Sequence, residues 1–241
     1  MKQLTLIIAA LLLLQVSFAQ TKPATTVKPK TATTQKAVVP LKGRLVQVTT
    51  DYGIMVIMLY DATPQHRDNF IKLVKEGIYD SLLFHRVIQD FMIQGGDPQS
   101  KYADSLAMLG GGEVPGIAMV PAEFKPALIH KKGALAAART DNPEKVSSNC
   151  QFYIVEGRPY SDVEINQVEC NIRSNNPEFT YTEVQRKIYK TIGGVPFLDE
   201  NYTVFGEVIK GLEVIDKIAA VEKDGNDRPL KNVRFKIKML N

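Results

Sequence analysis

The segment FHRVIQDFMIQGGD, residues Phe84 to Asp97, combines dense apolar side chains with a single positive charge. Arg86 and Gln94 are planar side chains with several hydrogen-bond donors, and they stand among residues that a protein core would take. Such donors suit a site that holds an amide backbone at the edge of an apolar pocket. The pair of glycines that follows allows a tight backbone turn. The segment therefore predicts a pocket for a peptide.

This segment resembles the signature of the cyclophilins, the peptidyl-prolyl cis-trans isomerases, in which Phe-His-Arg is followed at the same spacing by Phe-Met-x-Gln-Gly-Gly-Asp. Two later segments resemble the family in the same order. Gln151 to Ile154 is similar to its Gln-Phe-Phe-Ile strand, and Leu198 to Gly206 to its Leu-Asp-Gly-x-x-Thr-Val-Phe-Gly. The resemblance runs from Gly43 to Leu240 with one interruption. It implies a mostly β fold: a closed eight-stranded antiparallel barrel capped by two helices, plus a helical insertion.

The resemblance also implies the site and the activity, which is rotation about X-Pro bonds without a cofactor. Arg86 and Gln94 would be the catalytic residues: Arg86 would donate to the prolyl nitrogen in the twisted transition state, and Gln94 would hold the neighbouring carbonyl. The substrate-binding residues would be Phe91, Met92, Ala138, Arg139, Gln151, Tyr153, Phe197, Leu198 and Tyr202.

Several of these positions depart from the family pattern. Arg139 stands where the family commonly has an Asn that contacts the substrate backbone, so we expect that contact to change character. Phe197 and Tyr202 stand where eukaryotic members often have Trp and His. Both replacements keep an aromatic surface for a proline ring.

Residues 1–19 have the layout of a secretory signal peptide. A lysine is followed by the apolar run from Leu4 to Leu14, and Ser17 and Ala19 provide the small residues of a cleavage site. A membrane anchor is the competing interpretation, but the run is shorter than the ~20 apolar residues that a spanning helix needs. We therefore expect export to the periplasm or the extracellular space, with no integral membrane span.

The basic character of the chain comes from its first 42 residues. Six lysines and no acidic residue lie there, so the formal net charge of +4 leaves −2 on residues 43–241. Residues 20–42 carry too little apolar surface to offset the entropy of ordering, which predicts a solvated linker. A weak attraction of this tail to an anionic surface stays open beside the role of a soluble tether. For the single domain over residues 43–241 we expect no nucleic-acid face.

Within the domain, alternating and helical patterns predict most elements. The predictions are a hairpin over Leu45 to Tyr60, a helix with Thr63 as N-cap, Pro64 in its first turn and Gly77 as its stop, a small-residue strand over Gly133 to Ala138, a helix over Leu212 to Ala219, and a closing strand over Val233 to Met239.

The resemblance is interrupted at about residues 158–196. Ser161-x-x-Glu164 and Thr182-x-x-Gln185 are capping-box patterns, and each precedes apolar residues at helical spacing. They predict two inserted helices, whose apolar faces are Ile165, Val168 and Ile172 in the first and Val184, Ile188 and Ile192 in the second. Two roles stay open for the insertion, partner choice and surface elaboration.

Neither the three histidines nor the two cysteines have the spacing of a metal site, so no metal and no cofactor are predicted. His85 could serve as a general base, but no nucleophile motif accompanies it, and we interpret it as a hydrogen-bonded core histidine. Cys150 and Cys170 could pair in an oxidising compartment. That pairing stays open.

Two functions stay open. The first is a monomeric prolyl isomerase that acts on Pro-containing segments and assists the folding of exported proteins. The second is a cyclophilin-fold binding module, or chaperone, that holds such segments with little turnover. Turnover of a short X-Pro peptide separates the two.

Overall fold

A closed barrel of eight antiparallel strands forms the body of the protein in a computed structural model. Around the barrel the strand order is β1-β2-β7-β5-β6-β4-β3-β8, and β8 closes it by pairing with β1. The strands are β1 Gly43–Thr50, β2 Gly53–Tyr60, β3 Leu82–Ile88, β4 Met92–Gly95, β5 Ala134–Ala137, β6 Phe152–Val155, β7 Val204–Lys210 and β8 Arg234–Leu240. The predicted closed eight-stranded barrel is confirmed.

The structure describes residues 42–240. The predicted signal peptide, residues 1–19, lies outside the described residues, and so does the predicted linker, residues 20–42, apart from Lys42. Within the described range, none of the helices has the length and apolar character to cross a bilayer.

Four helices accompany the strands: α1 Pro64–Lys75, α2 Asp162–Arg173, α3 Glu183–Thr191 and α4 Leu212–Ala219. Helix α4 has the bounds that its apolar spacing predicts. Short 3-10 turns also occur at Pro98–Tyr102 and Pro196–Leu198. Helices α1 and α4 contribute Leu73 and Ile215, both fully buried, to the same core as the strands.

The barrel interior is filled by aromatic rings that pack mostly edge to face. Phe152 meets Phe84 and Phe235 at ring-centroid distances of 6.3 and 5.6 Å, and it meets Phe70 of α1 at 5.5 Å. Along β6 the pleat sends Phe152 inward and Tyr153 outward, to a second apolar cluster. This alternation is the one that the sequence predicts, and it places Tyr153 on the outer face.

Helices α2 and α3 form a helical hairpin, residues 162–191, with an apolar cluster of its own. Both capping boxes are present: the Ser161 hydroxyl accepts from the Glu164 backbone N–H, and Thr182 does the same for Gln185. The buried Glu169 carboxylate ties the two helices together, because it pairs with an arginine of each at 2.6 and 2.7 Å.

The predicted apolar face of α3 is wrong at two of its three residues, since of the three only Ile188 packs against the apolar cluster. Val184 is 60% exposed and Ile192, which lies just past the helix end, is 51% exposed. The fully buried residue of α3 is Tyr189. Its hydroxyl bonds to a buried carboxylate, and that polar contact accompanies a helix orientation that leaves Val184 and Ile192 at the surface.

The predicted cap of α1 is also wrong in its chemistry. Thr63 occupies the N-cap position, but its side chain makes no capping hydrogen bond. The Glu123 carboxylate, from a distant loop, instead accepts from the backbone N–H groups of Gln65 at 3.2 Å and His66 at 3.0 Å. A carboxylate is a strong acceptor for the free N–H groups of a first turn, and it takes the role that the threonine pattern predicts for the hydroxyl.

Candidate active site

A cluster of apolar side chains covers the outer face of the barrel over β4, β5 and β6, and we call it the outer cluster. Its buried part includes Tyr60, Met92, Ala134, Ala136, Ala138, Tyr153, Val155, Val195 and Val204. Phe91, Leu198 and Tyr202 pack against it while remaining partly open. Six of the nine predicted substrate-binding residues therefore meet in one cluster, although they lie on four separate stretches of the chain.

Phe197 completes the rim of this surface. It lies in the short 3-10 turn after the helical hairpin, is 47% exposed, and its ring centroid is 5.7 Å from that of Phe91. Such an exposed pair of tilted rings above a buried apolar base is a surface onto which a proline ring can pack.

Arg86 stands at the open edge of the outer cluster. It lies on β3 and pairs across the strands with Gln94 of β4, so the two predicted catalytic side chains are direct neighbours. The Arg86 side chain is 44% exposed, and the nearest carboxylate oxygen, on Asp227, is 3.9 Å from its Nε. The guanidinium therefore keeps N–H groups that are free to donate to a ligand.

Gln94 and Gln151 form a polar chain beside Arg86. Gln94 Nε2 donates to Gln151 Oε1 at 3.2 Å, and Gln151 Nε2 donates to the carbonyls of Gly110 and Gly112 at 3.1 and 2.9 Å. The chain ties the glycine-rich loop to the site. One N–H of the Gln94 amide is used in it, which leaves the other for a substrate carbonyl.

Arg139 is directed at the protein itself. Its Nε donates to the Asn201 carbonyl at 3.1 Å and one terminal nitrogen donates to the Thr140 carbonyl at 3.2 Å. The guanidinium carbon lies 4.6 Å from the centroid of the Tyr202 ring. Arg139 thus supports the Tyr202 wall by a cation–π contact, where the family Asn would face the substrate.

Beneath the outer cluster lies a set of buried polar groups, which we call the buried floor: Tyr153, His130 and Asp199. The Tyr153 hydroxyl and His130 Nε2 are 3.0 Å apart, and His130 Nδ1 is 2.7 Å from Asp199 Oδ1. All three residues are at most 4% exposed. Tyr153 is one of the predicted substrate-binding residues, and its ring would form the base of the pocket. The ring is thus held at its hydroxyl end, away from the substrate.

The helical hairpin completes this arrangement. Tyr181 and Tyr189 donate their hydroxyls to Asp199 Oδ2 at 2.7 and 2.6 Å, and the His130 backbone N–H donates to Oδ1 at 2.9 Å. Burial raises the pKa of Tyr153, Tyr181 and Tyr189 well above the usual range, and the Asp199 charge raises each further. The three hydroxyls therefore stay protonated and act as donors.

The interpretation of His85 as a hydrogen-bonded core residue is half wrong. The ring is buried, but among the described residues neither ring nitrogen has a hydrogen-bond partner. Burial lowers the pKa of His85 to about 4. The neutral ring packs near Gly110, where an added Cβ would lie 3.5 Å from Nε2. It fills space behind Arg86 and does not meet a nucleophile.

The two cysteines are free thiols, Cys150 buried and Cys170 exposed on α2, so the structure does not contain the bond that the sequence leaves open. Burial raises the pKa of Cys150 to about 12. Within residues 42–240, no group of three or more His, Cys, Asp and Glu side chains is placed to hold a metal ion.

Sequence reasoning misses the polar residues under the pocket: His130, Asp199, Tyr181 and Tyr189. The sequence contains one signal that points to them: Tyr153 stands where the family strand Gln-Phe-Phe-Ile has its second Phe. A hydroxyl added to a buried ring requires a partner, and the search for that partner leads to His130.

Fold and site together define a class: a closed antiparallel barrel with an apolar surface on its outer face and an arginine at its edge. The model of the family "Cyclophilin type peptidyl-prolyl cis-trans isomerase/CLD" matches residues 45–238. The chain therefore belongs to the cyclophilin-type peptidyl-prolyl cis-trans isomerase family.

Relatives agree with this assignment. A provisionally named peptidyl-prolyl cis-trans isomerase from Staphylococcus haemolyticus is 32% identical over 189 residues, 78% of this chain and 86% of the relative. A provisionally named bifunctional phosphatase/peptidyl-prolyl cis-trans isomerase from Streptococcus pyogenes is 35% identical over 196 residues, 79% of this chain. The match spans only 37% of the streptococcal protein.

Among solved structures, a cyclophilin-type isomerase from Cryptosporidium parvum, crystallised in the presence of the dipeptide Ala-Pro, has the same fold. The TM-score is 0.59 at 23% identity, and the match covers 82% of this chain and 99% of the other. At that identity the likeness concerns the barrel architecture.

Proposed function

We propose that this protein accelerates rotation about X-Pro bonds of polypeptides, with Arg86 as the catalytic donor. The observation that carries the proposal is the position of the Arg86 guanidinium. It is half exposed at the edge of an apolar surface, next to the Gln94 amide, and its nearest carboxylate oxygen, on Asp227, is 3.9 Å from Nε.

The chemistry needs a donor and an apolar surface but no nucleophile. An amide resists rotation by ~18–20 kcal/mol because the nitrogen lone pair is delocalised into the carbonyl. In the twisted transition state the lone pair is localised on the prolyl nitrogen, where an N–H of Arg86 can donate to it. This bond is stronger in the transition state than in the ground state, which is the condition for a rate increase.

The other residues hold the substrate in place. Phe91, Met92 and Tyr153 would bury the proline ring on the outer cluster, with Phe197 and Leu198 at its rim. The free N–H of Gln94 would bind the carbonyl next to the proline. Because the apolar contacts to the proline ring form equally in the ground and transition states, they contribute mainly to affinity.

We further propose that the protein is exported and assists the folding of exported proteins. The support is the n-region, apolar run and small-residue cleavage site of residues 1–19. X-Pro isomerisation takes tens to hundreds of seconds without catalysis and limits the folding of many chains. Intact-mass measurement of protein recovered from outside the cytoplasm should give a chain that begins at Gln20. A membrane-bound form that retains Leu4 to Leu14 would contradict this.

We also propose that residues 158–196 are an insertion relative to most of the family. The support is that the resemblance stops at about Gly157 and resumes at Phe197, while helices α2 and α3 occupy the interval.

A binding module with little turnover is the second candidate, and Arg139 favours it. Its guanidinium is bonded to carbonyls of the protein, so it does not supply the substrate contact that the family Asn makes. Without that contact the proline ring would still bind, but the substrate backbone would be held less firmly in the orientation that rotation requires.

The isomerisation rate of a short X-Pro peptide decides between the two. Exchange between the cis and trans forms is measured by NMR with catalytic amounts of residues 43–241. An isomerase increases the exchange rate in proportion to its concentration. A binding module saturates with peptide and leaves the rate of exchange unchanged, which would refute the first proposal. Arg44→Ala, exposed on β1 and two strands away from β3, is a control that should behave as the wild type.

A further inference from the structure

We infer that the helical hairpin is a working part of the site, because its Tyr181 and Tyr189 position the Tyr153 ring through Asp199 and His130. The inference rests on the proposed isomerase function and deepens it. It assigns a role in positioning to four residues that do not touch the substrate themselves.

A continuous path of hydrogen bonds joins the hairpin to the pocket. It runs from the hydroxyls of Tyr181 and Tyr189 to Asp199, at 2.7 and 2.6 Å, from Asp199 to His130 at 2.7 Å, and from His130 to Tyr153 at 3.0 Å. Every residue on the path is at most 4% exposed, so water does not compete strongly for these bonds.

The chemistry of the groups fixes the direction of each bond. A carboxylate can only accept, so His130 Nδ1 carries the proton and donates to Asp199, which leaves Nε2 to accept from the Tyr153 hydroxyl. Asp199 then receives four donors: two tyrosine hydroxyls, the His130 ring and the His130 backbone. With both oxygens satisfied, the carboxylate holds the imidazole in one tautomer and one orientation.

Two further departures from the family pattern meet on this path. Tyr153 replaces a phenylalanine and brings a hydroxyl into the base of the pocket, and the hairpin brings two tyrosines to the other end. A buried hydroxyl without a partner is costly, so the added group at position 153 is stable only with an oriented His130. Asp199 also follows Leu198 directly in the chain, so the same bonds hold the pocket rim.

A purely structural role for the hairpin would give a different result. If Tyr181 and Tyr189 only attach the hairpin to the barrel, their loss reduces the stability and leaves peptide binding alone. If they position Tyr153, their loss weakens binding only while the Tyr153 hydroxyl is present to transmit it. A double-mutant cycle separates these cases.

The cycle compares four forms of residues 43–241: wild type, Tyr153→Phe, Tyr181→Phe with Tyr189→Phe, and the triple variant. Each substitution removes one hydroxyl and keeps the ring. Tyr160→Phe is the matched control, since Tyr160 lies two residues before the hairpin, packs against Tyr189 at a centroid distance of 6.5 Å and makes no bond to Asp199. KM and kcat for an X-Pro peptide are measured beside the melting temperature.

We expect the Tyr181/Tyr189 double variant to raise KM about three- to tenfold with kcat nearly unchanged, as loss of orienting hydrogen bonds allows. In the Tyr153→Phe background the same two substitutions should raise KM by less than about 1.5-fold, which is the signature of coupling. Tyr160→Phe should leave KM unchanged. The ring ¹⁵N shifts of His130 should also move in the double variant and stay unmoved in the control.

An equal rise in KM in both backgrounds, or no rise in the wild-type background, overturns the inference. If the double variant does not fold, Tyr189→Phe alone in both backgrounds gives the same test, because Tyr181 still binds Asp199. If the wild type fails to accelerate exchange, the proposed function fails. In that case the same four proteins are compared by their dissociation constants for the peptide, and this comparison tests the positioning role independently of the isomerase activity.

Discussion

The two sides of the proposed proline pocket are built in opposite ways. At the open edge, Arg86 is 44% exposed and its nearest carboxylate oxygen is 3.9 Å away. In the buried floor, Asp199 is 4% exposed and accepts four hydrogen bonds. A group that must donate to a short-lived transition state needs free N–H groups, whereas a ring that must present one surface needs fixed neighbours. The pocket thus combines an exposed donor that is left free for the substrate with a buried support whose hydrogen bonds are all made within the protein.

The same contrast appears in the two histidines beside the site. His85 precedes Arg86 in the most recognisable motif of the chain, yet its buried ring nitrogens have no partner among the described residues. His130 lies in no motif, yet both of its ring nitrogens are bonded. Position in a motif is therefore a poor guide to which histidine supports the site.

Asp199→Ala should produce the largest loss of stability. It removes the acceptor of four buried donors, and such changes cost about 3 kcal/mol or more in the free energy of unfolding. Urea denaturation measures the loss. Asp141→Ala is the control, because the Asp141 carboxylate is fully exposed and pairs with Arg139 only at 3.5 Å, so almost no change in stability is expected there. Similar losses in the two variants would refute the special role of the buried floor.

Acid should destabilise the protein through His85. Burial lowers the folded-state pKa of His85 to about 4, against about 6.5 in the unfolded chain. Between pH 4 and pH 6.5 the His85 ring is therefore protonated in the unfolded chain and unprotonated in the folded one. The contribution of the neutral ring to the free energy of unfolding is therefore full above pH 6.5 and falls as the pH drops toward 4. The loss between pH 7 and pH 5 is about 2 kcal/mol.

His85→Leu should flatten this part of the profile. The slope that remains would include His66, whose pKa is also lowered by burial, an effect that Glu123 partly offsets. Denaturation curves at pH 7, 6 and 5 for both proteins measure the difference. An unchanged slope in His85→Leu would show that the buried ring does not control acid stability.

Phe91→Ala should have a smaller effect on stability and a clear one on affinity. The ring is only partly buried and packs against Phe197, so about 1 kcal/mol of stability should be lost, less than for a fully buried Phe. The peptide dissociation constant should rise about tenfold, because part of the proline-ring surface is lost. Isothermal titration and melting of the variant check both. Loss of stability without loss of affinity would place Phe91 in the core and outside the pocket.

The closed barrel is predicted by the resemblance to the family, whereas alternation and helix spacing, which are local signals, predict single elements well. The hairpin of β1 and β2, the pleat of β6 and the bounds of α4 all follow from them. The sequence predicts the buried face of α3 badly, because Tyr189 is buried by a polar contact that periodicity does not encode.

The site divides in the same way. The open edge lies within one short segment, so Arg86 and Gln94 can be identified together, and strand pairing brings them side by side. The buried floor joins residues 130, 153 and 199, and the hairpin adds residues 181 and 189. Polar pairs so far apart in sequence become visible only when the fold brings them into contact. Arg139 shows the same limit, since its stacking on Tyr202 depends on tertiary geometry.

The most direct test of the catalytic role is the effect of Arg86→Ala on rate and on affinity, measured with one X-Pro peptide. If Arg86 acts mainly in the transition state, kcat/KM should fall about 10²-fold or more, equivalent to about 2.7 kcal/mol of barrier, while the dissociation constant changes by less than about threefold. Arg86→Lys should recover little of the rate, because a point charge lacks the planar fork of the guanidinium. If rate and affinity decline in equal proportion, Arg86 only anchors the bound peptide, and the catalytic role assigned to it is wrong.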